Sequence, residues 1–197
     1  DLIFTQVKHY AGVSHWPTRL TLPDSCSIVE STRIEVKGAL RGPAGIADAS
    51  IPDTRRLLIP YNPQQLNNPE GMIASFAHVL AHYLAQMAQQ PPPGGAAYWP
   101  HVTELLAIYL GFGLMFANTA LVLPRGGCCG GPVVRRQAYV SQHDITYALA
   151  IFAALKRLPQ QQVLRHLKGS LRGQFRRAMR EVKGRYAPRL QDMEQSL

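Results

Sequence analysis

Apolar positions recur at helical spacing in four stretches of the chain, and short β-like runs are confined to its first sixty residues. From 69 to 87, Met72, Ile73, Phe76, Leu80, Tyr83, Leu84 and Met87 make a stripe with steps of three and four, the signature of one helix face. Asn68-Pro69 opens that helix as an N-cap residue followed by proline at the first helical position. Glu70 suits the positive end of its dipole, and the prolines at 91–93 close it. A second helix starts near Trp99-Pro100 and carries Val102, Leu105, Leu106, Tyr109 and Leu110. It is apolar almost all round, which predicts a central position, and Gly111 and Gly113 permit a kink or close helix packing. Ser141-Gln142-His143-Asp144 has the form of a capping box, with Asp in place of Glu, leading into a helix over 145–158 that Pro159 ends. A last helix over 160–183 sets Leu164, Leu167, Leu171, Phe175, Met179 and Val182 against a basic opposite face. Ahead of all these, a short helix over 2–10 precedes β-like runs at 19–22, 27–29, 33–36 and 56–59, separated by turn formers.

These elements predict an α+β fold, mainly α-helical with a small N-terminal β-sheet, in one domain over 1–197. Its parts are a strand-rich layer at 1–66, a helical core at 67–158, and a basic C-terminal helix and tail at 159–197. A chain of 197 residues with 46% hydrophobic content can bury a sizeable core, and 17% charged residues argue against disorder throughout. The runs 91–95 and 125–132 read as loops. The start at Asp1, with no charged-then-apolar leader, reads as a fragment or processed chain without a secretory signal. The apolar run 105–123 contains Gly111, Gly113 and Asn118 and reads as a core helix, so no membrane association is expected. Three cysteines, two of them adjacent at Cys128 and Cys129, build no disulfide framework and fit a reducing, cytoplasmic setting.

Charge changes the picture of partners. A net charge of +9 and a pI near 9.8 predict attraction to acidic molecules. The excess gathers in Arg165, Lys168, Arg172, Arg176, Arg177, Arg180, Lys183, Arg185 and Arg189. Such a run is ordinarily a solvated helix face, and no aromatic stacking platform accompanies it. An acidic protein surface is therefore favoured over nucleic acid as the partner.

Candidate chemistry centres on His78 and His82, four residues apart in the helix over 69–87 and so on one face of it. This is the ligand spacing of the zinc-peptidase motif H-E-x-x-H, in which the Glu after the first His activates the metal-bound water. Here that position is Val79, which can neither hold nor pass a proton. Other hydrolase signatures are missing: there is no G-x-S-x-G elbow, and the 126–131 glycine run lacks the Lys-Ser/Thr of a phosphate loop. His9, His15, His143 and His166 lack ligand spacing.

Three separated blocks occur in order: Ala77-His78-Val79-Leu80-Ala81-His82-Tyr83-Leu84, then Val102 to Gly113 with Phe116-Ala117-Asn118, then Arg136 to Ser141 with Tyr147-Ala148-Leu149-Ala150. Together they resemble a group of largely uncharacterised bacterial proteins with a gluzincin-like metallopeptidase core. In that group the first block looks like A-H-E-L-A-H-Y-L and the second like E-x-x-T-D-L-x-x-V-F-L-G-F-G-x-F-x-A-N. The resemblance implies a zincin-like helical core with His78 and His82 as inherited metal ligands. Glu104 falls at the downstream acidic position, and Pro100 stands where the third ligand, a Glu, would be. His101 or Glu104 is the candidate substitute. The resemblance thus implies no cofactor or weakly bound zinc at His78, His82 and Glu104, and no catalytic residue. The function expected is a pseudoenzyme used as a binding or scaffolding module. The alternatives are a zinc hydrolase with its base moved to Glu104 or Glu70, and nucleic-acid or acidic-partner binding through the basic C-terminal helix.

Overall fold

A computed structural model describes residues 1–22, 36–48, 50–52, 55–88, 90–120 and 139–186. The fold is mainly helical α+β, and the chain divides into two compact units, Asp1–Thr103 and Glu104–Leu197. The strand expected at 27–29, nearly all of that at 33–36, and the Gly/Cys loop at 125–132 lie outside the described residues.

The first unit begins with α1 (Leu2–Ala11), whose buried Phe4, Val7 and Ala11 form one helical face. It packs on α2 (Pro69–Gln86), with the Phe4 and Phe76 rings 5.0 Å apart between centroids. Gly12, at φ 73°, ends α1 in the left-handed conformation that a side chain would strain, and its N–H returns to the His9 and Lys8 carbonyls. The chain then enters β1 (Thr18–Thr21), which pairs in parallel with β4 (Leu57–Pro60) in the register Thr18 to Leu57. Leu57 and Ile59 are fully buried while Leu58 is exposed, the two-residue alternation of a strand with one face on a core. Tyr83 of α2 ties helix to sheet by donating its hydroxyl to the Leu58 carbonyl at 3.1 Å.

Between β1 and β4 lies a hairpin that the sequence pattern did not announce: β2 (Lys37–Gly38) antiparallel to β3 (Gly45–Ile46). Strands two residues long have no period to detect. Tertiary contacts hold it instead. Arg41 Nε donates to the Ala11 carbonyl at 2.9 Å, the Gly42 N–H to the Gly12 carbonyl at 2.8 Å, and Trp16 Nε1 to the Leu40 carbonyl at 3.0 Å. The His15 ring lies directly on Gly45, where a Cβ would overlap three ring atoms, so only glycine fits there without moving the imidazole.

α2 starts where the sequence places it. The Asn68 side chain accepts the Gly71 N–H at 3.0 Å, Pro69 occupies the first turn, and Met72, Phe76, Leu80 and Tyr83 are buried.

In the second unit, α3 (Trp99–Ala107), within which the division between units falls, passes through a π-helical turn (Ile108–Phe112) into α4 (Gly113–Thr119). Both glycine expectations hold. Gly111, at φ 105°, is the kink. At Gly113 a Cβ would sit 2.9 Å from Leu149 Cδ1, so the missing side chain is what lets α4 approach α5 (Gln142–Leu155) this closely. The stretch Ala96–Thr119 is long and apolar enough to cross a membrane, a test that core helices also pass, and over half of it is buried. α5 starts at the predicted cap, with the Ser141 side chain accepting the Asp144 N–H at 3.1 Å. It stops at Leu155 rather than 158, and Arg157 adopts φ 51° ahead of Pro159.

The expected single helix over 160–183 is two helices, α6 (Gln160–His166) and α7 (Gly169–Arg185). The cause lies in α4. Asn118, 3% exposed, donates from Nδ2 to the His166 carbonyl and accepts the Lys168 N–H at Oδ1, both at 3.0 Å. Its amide thus satisfies one backbone group on each side of the break, and Arg172 Nε adds a bond to the Leu167 carbonyl at 2.9 Å.

Two predictions follow from these contacts. Asn118→Ala leaves two backbone groups without their partner and should lower unfolding stability by about 2 kcal/mol; urea unfolding measures this, and hydrogen exchange should quicken at the Lys168 amide. Lys8 gives the second. Its Nζ donates to the Trp16 carbonyl at 2.7 Å and Thr18 Oγ1 at 3.0 Å, while burial, aided by the Arg56 charge, lowers its pKa from 10.5 to about 8. Between those values the unfolded chain binds more protons at this site than the folded one, so Lys8 lets stability rise with pH through that window. Melting temperatures should therefore show wild type gaining on Lys8→Met between about pH 7.5 and pH 10.

Candidate functional site

α2 carries the histidine pair because its cap, its first-turn Pro69 and its buried apolar stripe fix the helical phase, and residues four apart then share a face. His78 is half-buried, with its Nδ1 sequestered from solvent, and His82, one turn on, is exposed. Val79 follows His78 and is itself half-buried.

His82 is not idle. Gln86 Nε2 lies 2.9 Å from its Nε2, one helical turn further along. With the amide nitrogen as donor, the ring nitrogen accepts, the arrangement that suits the tautomer protonated at Nδ1. Desolvation by the surrounding chain lowers the His82 pKa below 6.5, favouring the same neutral ring. The Tyr83 ring meets it edge-on at 6.1 Å.

Glu104, the expected acidic partner, is fully buried in α3. Its Oε2 accepts the Val140 N–H at 2.8 Å, immediately before the Ser141 cap of α5, so the carboxylate anchors the entry to that helix. Its Oε1 is buried and makes no hydrogen bond among the described residues. His101, the other substitute ligand, is half-buried at the start of α3, its ring 5.8 Å from that of Tyr98. Glu70 serves the first turn of α2.

Among the described residues, no three His, Cys, Asp or Glu side chains gather as a metal ion would require. Cys128 and Cys129 lie outside the described residues. A catalytic zinc takes three protein ligands and a water. Of the described donors, α2 offers two imidazoles, one of them in contact with Gln86, and Glu104 uses one of its two carboxylate oxygens on a backbone amide.

Sequence reasoning placed the two histidines on one face and missed Gln86 beside them and, in the second unit, Asn118 at the α6–α7 break. Gln86 was readable from its i+4 spacing to His82. Asn118 was not, because its partners lie 48 and 50 residues away along the chain.

Comparison with family models, curated proteins and solved structures finds no match to this chain.

The Gln86 contact and the desolvation of His82 make a titration prediction. Because its folded pKa lies below 6.5, the unfolded chain takes up the His82 proton first as pH falls, and the fold loses stability through that window. NMR titration should give a His82 pKa below 6.5 in the native protein, and Gln86→Ala, which removes the donor to the neutral ring and admits water, should move it back up.

Proposed function

We propose that this chain is a binding or scaffolding module built on a metallopeptidase-like helical frame that carries no peptidase chemistry. The observation that supports this reading is Val79, an aliphatic side chain between two histidines whose spacing on α2 is that of a metal-binding helix. In a hydrolase of this type the base must reach to about 3 Å from the metal-bound water, and the residue after the first histidine is where that reach is natural. A valine there removes proton transfer from the position altogether.

The surroundings support the same reading. Gln86 lies 2.9 Å from His82 Nε2, and one oxygen of Glu104 holds the backbone amide that leads into α5. What survives of the site on this reading is a shaped, partly apolar helix face. The partner would be recognised by shape and charge.

The proposal is tested by restoring the motif. Val79→Glu should yield no turnover of casein or of a quenched fluorescent peptide, with or without added zinc, because a third ligand is lacking as well as the base. Wild-type protein purified without chelators should carry well under one zinc per chain by elemental analysis. Stoichiometric zinc together with peptide hydrolysis abolished by His78→Ala would overturn the proposal in favour of a zinc hydrolase with a relocated base.

A further inference from the structure

The second unit carries all of the net charge. Residues 1–103 contain seven Lys or Arg and seven Asp or Glu, whereas 104–197 contain fourteen and five, so the +9 excess falls entirely in Glu104–Leu197. α7 concentrates it. Arg172, Arg176, Arg180 and Lys183 follow one another at steps of four, four and three along the helix, a ridge about 16 Å long at 1.5 Å per residue, with Arg177 beside it. All five are exposed. Arg176, Arg177, Arg180 and Lys183 make no ion pair or hydrogen bond among the described residues. Arg172 uses only its Nε, on the Leu167 carbonyl. The one acid of the helix, Glu181, lies against the Tyr147 hydroxyl, beside the ridge rather than on it and one turn from Arg177.

Gly169, Gly173 and Gly184 share this exposed face, and a Cβ at any of them would meet nothing within 4 Å. None has a positive φ, so neither packing nor backbone geometry calls for glycine there. Gly173, the one inside the helix, costs roughly 1 kcal/mol against alanine. Bare backbone between cations does permit one thing, which is close approach of a polyanion to the helix.

We infer that the outer face of α7 binds the phosphate backbone of duplex nucleic acid without reading its sequence. Three other occupants fit less well. A folded protein partner would need an apolar or aromatic centre to the contact, and every large apolar side chain of α7, namely Leu171, Phe175, Met179 and Val182, is buried on the inward face. A membrane surface would need that same apolar face free to insert, and it is occupied by the unit's own core. Single strands would be held by stacked bases, and the ridge carries no aromatic ring. What it does carry, four guanidinium forks and an ammonium, suits phosphate oxygens. The inference stands apart from the histidine helix and from the reading proposed for it.

Fluorescence anisotropy with the full chain and two duplexes of unrelated sequence, about 20 base pairs each, tests it. Both should bind equally, with log K falling against log salt at a slope near −3.6 for about four phosphates engaged. Arg176→Gln/Arg180→Gln should reduce that slope by about 1.8 and weaken binding at about 100 mM salt roughly tenfold or more. Lys183→Gln, a single exposed change, should reduce it by about 0.9. Melting curves certify that each variant is folded. The inference is overturned by absence of duplex binding at about 50 mM salt, by a slope near zero, or by folded variants that bind as wild type does. Tighter binding to a single strand, to polyglutamate or to phosphatidylserine vesicles than to the duplex would overturn it as well.

Discussion

A helix that ends inside a protein leaves amides and carbonyls with no partner in its own ladder, and in both units side chains from another element meet them. Arg41 reaches the Ala11 carbonyl at the end of α1, and Gln142 of α5 reaches the Ala117 carbonyl near the end of α4. Asn118 does the most, holding both sides of the α6–α7 break, and Glu104 holds the amide that leads into α5. Apolar burial brings these helices together, but it has no direction. The polar contacts mark where α1, α4 and α6 stop and where α5 and α7 begin, and so place the α7 cations.

This division of labour explains which features were legible. The start of α2 at Asn68-Pro69 and of α5 at Ser141 could be read because a cap and its partner lie three residues apart. The β1 and β4 strands could be read as short β-like runs between turn formers, and the kink at Gly111 and close packing at Gly113 from the one residue type that permits them. The break between α6 and α7 could not. Nothing local in Leu167-Lys168 stops a helix, and the residue that stabilises the interruption sits in α4. The 37–46 hairpin escaped for the same reason: its order comes from Arg41, Gly42 and the carbonyl of Leu40, each bonded to the segment around Gly12 and Trp16.

The candidate site was legible in part. The spacing of His78 and His82 and the aliphatic residue between them are sequence facts, and α2 turns them into one helical face. The fate of Glu104 was not readable, since its partner Val140 is 36 residues away and is a backbone amide, to which side-chain identity gives no clue. An acid expected to steady a ligand steadies a helix entrance with its Oε2. The same carboxylate chemistry serves either purpose, and only the donor at its end distinguishes them.

The uneven distribution of charge has a consequence of its own. Cations crowded on a single helix repel one another whenever nothing anionic lies over them, and that repulsion works against the compact state. Mobile counter-ions shield it over about 10 Å at 0.1 M ionic strength. The half of the chain bearing α7 therefore tightens as electrolyte is added, while the electroneutral first 103 residues feel little of it, so the two halves respond differently to the same buffer.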